Sequence, residues 1–160
     1  MTSTRTTRKS DAVTPAEVQQ ITEDLQRYDA ELEQAEARIT LRGKSLAEAQ
    51  KEQTAWPIYY ALRRAELSIM SKRMDARVSA IRGRLHRWYK ENDALNSSER
   101  QLDKYVDSHD EFLTAVELQL YVDEVYKKYN EILEYGFDKR GFALRDFTQA
   151  RIHEIHNEIL

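Results

Sequence analysis

Residues 13–39 read "VTPAEVQQITEDLQRYDAELEQAEARI", and the punctuation and spacing of this stretch decide the class of fold. Thr14 suits a helix N-cap, Pro15 the first helical position, and Glu17 the place from which a carboxylate reaches back to the cap. Val13 and Val18 stand where a hydrophobic staple would close. Apolar side chains then recur at Val18, Ile21, Leu25, Tyr28, Leu32, Ala35 and Ile39, and again at Leu46. Steps of three and four hold one narrow stripe on one side of a helix, which is coiled-coil spacing. The spacing predicts a helix over about 15–54, with Arg42 interrupting the seam and Gly43 able to loosen it. The stripe leaves open whether another copy or the next helix covers it.

Composition agrees with long helices. The 160 residues hold four glycines, two prolines and no cysteine, and a third of them are charged. Without cysteine there are no disulfides, thiolate nucleophiles or Cys-ligated zinc. No apolar run is long enough to span a bilayer, and no signal-peptide core follows Met1, so a cytoplasmic protein with no membrane association is the expectation.

Four segments follow. Residues 1–12 read as a disordered basic arm. Residues 13–55 form the amphipathic, coiled-coil-like helix. "AWPIYY" (55–60) punctuates, and Pro57 is placed to open a second helix over 56–92. On it Leu62, Leu67, Met70, Met74, Val78, Ile81, Leu85 and Trp88 share an apolar face. Residues 93–160 begin with a polar break, where Ser97 or Ser98 can cap a short helix to Tyr105. "DSHDE" (107–111) starts an acidic helix carrying Leu118, Val122, Val125, Tyr129 and Ile132. "GFDKRGF" (136–142) reads as a loop, and a last helix runs from about Leu144 with Phe147, Ile152, Ile155 and Ile159 available for packing. No segment alternates as a strand. The fold class is all-α.

The net charge of −3 conceals strong segregation. Residues 12–55 carry five basic against nine acidic side chains, residues 56–90 nine against two, and residues 91–135 four against twelve. Several cations on one surface hold a polyanion backbone, and aromatic faces stack unpaired bases. The second segment offers Arg73, Arg77, Arg82, Arg84, Arg87 and Lys90 with Trp88 and Tyr89, besides Arg63, Arg64, Lys72, Tyr59 and Tyr60. Arg73, Arg77, Arg84 and Arg87 flank the apolar face on one side, and Arg82 lies on the other. Three readings fit such a block: nucleic-acid binding, pairing with the chain's own acidic helices, or an acidic protein partner.

Little else carries chemistry. His153 and His156 stand one turn apart without further ligands and read as surface histidines, so no metal is expected. Acid pairs such as Asp107/Asp110 and Glu131/Glu134 are what acidic helices produce by chance. No phosphate loop and no activated nucleophile is present, so neither catalytic residues nor a cofactor is expected.

The order of three motifs resembles the UvsY family of recombination mediators of T-even bacteriophages. They are Arg82-Gly83-Arg84-Leu85, Trp88-Tyr89 and Arg140-Gly141-Phe142, the last leading into the C-terminal helix, and the likeness spans roughly 56–155. The resemblance implies a non-enzymatic protein that binds single-stranded DNA and helps a RecA-like recombinase displace single-stranded-DNA-binding protein. It implies a ring-like homo-oligomer in the cytoplasm of a bacterial host, with subunit contacts in 107–160. It also implies that Arg82 and Arg84 are the DNA-contacting pair.

Overall fold

The structure, a computed structural model, describes residues 13–92 and 97–158. The basic arm over 1–12, most of the polar break and Ile159 lie outside the described residues. Helix α1 spans Pro15–Glu33, α2 Ala35–Ile39, α3 Leu46–Asn92, α4 Glu99–Asp107 and α5 Asp110–Glu131. A π-helical stretch, Ile132–Phe137, leads directly into α6, Asp138–Glu158. The all-α class is therefore shown, with no strand among the described residues. No described helix is long and apolar enough to cross a membrane.

The start of α1 follows the sequence reading. Thr14 donates its backbone N–H to Glu17 Oε2 at 3.0 Å, and Glu17 N–H returns a bond to Thr14 Oγ1 at 3.3 Å. Held by that N–H and by Arg77, the Glu17 carboxyl is lowered to about 2. Ser98 and Gln101 make a similar start for α4, with the Ser98 N–H 3.0 Å from Gln101 Oε1.

Three boundaries differ from expectation. The helix expected over 15–54 is interrupted at 40–45, where Gly43 takes a φ of 80° that side chains disfavour. A second capping box then starts α3, with Ser45 N–H 3.1 Å from Glu48 Oε2 and Glu48 N–H 3.3 Å from Ser45 Oγ. Pro57 opens no helix; it lies inside the 47-residue α3. A mid-helix proline removes one backbone bond and crowds the preceding turn, at roughly 3 kcal/mol. Burial of Ala49 before it and of Tyr60 and Leu67 after it offsets that cost. Finally, 136–142 is helical throughout. A Cβ on Gly136 would collide with Ile39 Cδ1, and one on Gly141 would come within 3.1 Å of Gln53 Nε2. These glycines admit close neighbours.

The contacts define two compact units, and each boundary between them falls inside a helix. The first is built from residues up to Thr22 and from Lys72–Leu120. Its core is Ile81, Leu85, Val106, Phe112 and Ala115, with Val13, Val78, Tyr89 and Val116 packed around it.

The second comprises Glu23–Ser71 and the chain from Tyr121 onward. Its core is aromatic. Tyr60 lies 5.7 Å from Tyr129 and 5.2 Å from Phe137, and Tyr28 meets Tyr129 edge-on at 5.9 Å. Buried hydroxyls need partners, and these find them: Tyr129 donates to the Tyr28 carbonyl, Tyr60 to the Glu31 carbonyl and Tyr28 to Glu66. Leu25, Tyr28 and Ala35 of the heptad stripe are buried within the chain itself. Arg140, only 3% exposed, donates to Glu52 at 2.9 Å and Gln53 at 2.8 Å.

Candidate nucleic-acid interface

The basic residues 72–90 all belong to the first unit and to one stretch of α3. Ile81 and Leu85 bury one side of that stretch, and charge collects on the remainder. Acidic side chains from α1, α4 and α5 meet several of the cations. Arg77 pairs with Glu17 at 3.0 Å, and Arg82 reaches Asp107 at 3.3 Å and Asp103 at 3.6 Å. Arg84 pairs with Glu111. Glu99 accepts from Lys90 at 2.8 Å and from His86 at 2.9 Å, and mainly Lys90 holds its carboxyl below the usual range. The two basic margins of α3 are thus largely engaged, because other helices carry carboxylates to them.

Three cations escape this pairing. Lys72, Arg73 and Arg87 are exposed and have no carboxylate partner among the described residues; the Arg87 Nε donates only to the Gly83 carbonyl at 3.3 Å. At about 100° per residue they share one outward face of α3 with Ala76, Ala80 and Gly83. All three of these small residues are exposed, and a Cβ on Gly83 would meet no atom of the chain. The face is a shallow, uncluttered strip bordered by positive charge.

The aromatics divide. Trp88 is 54% exposed, although the sequence placed it on the packed face, and Leu62 also points outward. Tyr89 belongs to the core wall and contacts Trp88 at 5.0 Å, Tyr105 at 5.7 Å and His109 at 6.2 Å between ring centroids. Trp88, Tyr89, Asn92, Leu102 and Tyr105 line a cleft of about 260 Å³. Sequence reasoning missed Tyr105, since it lies on α4 beyond the polar break; its only signal was an aromatic in a short amphipathic helix. Tyr59 and Tyr60 belong to the second unit. Tyr60 is fully buried there, and Tyr59 packs edge-on against Trp56 and Tyr60 with the Arg63 guanidinium 5.2 Å from its ring. Arg63 itself pairs with Glu66 and Glu31.

No cluster of three or more metal-ligating side chains occurs among the described residues. His153 and His156 are exposed, as a surface reading of them requires. No family model matches the chain, and neither a curated protein nor a solved structure does.

Proposed function

We propose that this chain is a non-enzymatic mediator of recombination that binds single-stranded DNA and helps a RecA-like recombinase onto strands coated with single-stranded-DNA-binding protein. The observation that carries the reading is the set of cations Lys72, Arg73 and Arg87 on one face of α3, without carboxylate partners among the described residues, together with the aromatic cleft at Trp88 and Tyr105 in the same unit. Phosphates follow the cationic strip, and an unpaired base stacks at the cleft mouth, a combination that suits single strands without regard to sequence. Arg82 supplements the strip. It is half-exposed, and an exposed ion pair contributes only about 0–1 kcal/mol, so a phosphate competes with Asp103 and Asp107 on nearly equal terms. The resemblance to the UvsY family supplies the recombinase, the single-strand-binding protein, the ring-like assembly and the bacterial cytoplasm. Arg82 and Arg84 are its DNA-contacting pair.

A second reading follows from the ion pairs. A helix whose cations are met by the chain's own acids serves equally as part of a helical scaffold or adaptor, and Arg77, Arg84 and Lys90 are met in this way.

Anisotropy of a fluorescent oligo-dT across a salt series separates the two. With three phosphate contacts the logarithmic slope is about −2, so tripling the salt lowers affinity about tenfold. Lys72→Ala/Arg73→Ala/Arg87→Ala abolishes most of that slope, and Arg82→Ala/Arg84→Ala removes a smaller share. Absence of binding by helical wild-type protein at low salt would overturn the DNA reading and leave the scaffold.

A further inference from the structure

In the second unit α3 is apolar on two opposite sides. Tyr60 and Leu67 are buried in the chain's own core. About half a turn away, Ala55, Ile58, Leu62, Ala65 and Ile69 follow at steps of three, four, three and four. Nothing in the described chain covers this second stripe: Ile58 is 60%, Leu62 62% and Ile69 53% exposed. Single exposed apolar residues are ordinary, but five in register along one helix form a seam.

We infer that this stripe is a seam between two copies of the chain, packed antiparallel. The proposal rests on the assembly part of the reading above and moves the seam from 107–160 to α3. Charge selects the occupant. A two-fold contact brings each group against its own copy or a near neighbour, so a charged stripe would repel itself. The charges between 55 and 69 are Arg63, Arg64 and Glu66, and none falls in the stripe. Arg63 and Glu66 are held to each other at 2.9 Å on the flank. A neutral stripe gives an acidic or basic partner helix nothing to recognise, while neutrality is what self-pairing requires. Shape selects the direction. In antiparallel register Leu62 meets Ala65 of the second copy, and Ile58 meets its Ile69, so the central layers set large against small as interdigitating helices do.

The test is the mass of the full chain by sedimentation equilibrium from low to high micromolar concentration. Wild type exceeds the 18.9 kDa of one chain. Ile58→Glu/Leu62→Glu weakens association by roughly tenfold or more, with helicity unchanged, because it puts like charges across the seam. Mixing Ile58→Glu with Ile69→Lys restores association, since the register sets these positions opposite each other. Should the double glutamate variant lose its helicity, Leu62→Ala replaces it and still weakens association. Phe147→Glu, on the equally exposed α6, leaves the mass unaltered. A monomeric wild type, seam variants that associate like wild type, failure of the mixture to recover, or dissociation by Phe147→Glu would each overturn the proposal. Oligo-dT binding measured on the same samples keeps the readings apart: a monomer that binds DNA removes the seam alone, and an oligomer that does not removes the DNA reading alone.

Discussion

The two units handle positive charge in opposite ways. In the second, Arg140 sits inside the fold with its guanidinium shared between Glu52 and Gln53, and burial lowers its pKa. In the first, Arg82 holds Asp103 and Asp107 with both partners about half in water. The same pair of residue types has different consequences, because water screens the exposed pair and leaves the buried one to depend on its geometry. Arg140 fixes the interior of its unit, and Arg82 stays exchangeable at the surface of the other.

Arg140→Ala and Arg82→Ala test that contrast directly. Removing Arg140 takes the donor from Gln53 Oε1 and leaves Glu52 with Lys44 alone, and stability falls by about 1–2 kcal/mol. Removing Arg82 changes stability by no more than about 0.5 kcal/mol. Equal effects in denaturant unfolding would erase the distinction. A smaller effect sharpens the exchange idea. Asp103→Asn/Asp107→Asn frees Arg82, and oligo-dT affinity rises by two- to fivefold, on the scale of one exposed pair. Unchanged affinity would show that these acids do not compete with phosphate.

The smallest effect concerns pH. Glu17 has its carboxyl lowered from 4.5 to about 2, by the Thr14 N–H and then by Arg77. A depressed folded-state pKa gives stability that is present above about 4.5 and is lost as pH falls towards 2. Thermal melts of wild type between pH 6 and pH 2 therefore decline more steeply than those of Glu17→Gln. Parallel declines would mean that the capping box at α1 holds no pH-dependent stability.

Much of the fold was legible because its signals are local. The box at Thr14 and Glu17, the acidic start of α5 and the buried row Leu118, Val122, Val125 and Tyr129 need only neighbours three or four residues away. The interruption at 40–45 was legible too, in Gly43 followed by Ser45-Leu-Ala-Glu48. The apolar stripe continuing to Leu46 outweighed it. Gly136 and Gly141 could not be read, since a glycine admitting Ile39 or Gln53 has the same letter as one making a turn. For the interface, spacing set the arginines around α3 but could not say which would be met by carboxylates. Glu17 is 60 residues from Arg77, and Glu111 is 27 from Arg84. Only the pairing of helices separates Lys72, Arg73 and Arg87 from the rest.

The π-helical stretch at Ile132–Phe137, where Asp138 N–H bonds back five residues to Leu133, has a consequence in phase. It accommodates one residue more than an α-helix of the same length. Everything after it is therefore turned by about 100° relative to an uninterrupted continuation of α5. That offset points Arg140, rather than Lys139 or Gly141, at Glu52. Deleting a single residue between 132 and 137 would remove the bulge and leave α6 in phase, whereas recasting the stretch as plain α-helix at constant length would rotate α6 as a block and put Lys139 in place of the buried guanidinium. In this region a change that abolishes the bulge at constant length is a larger event than the loss of one residue, and the phase of the helix, more than any one side chain, is what the second unit has to keep.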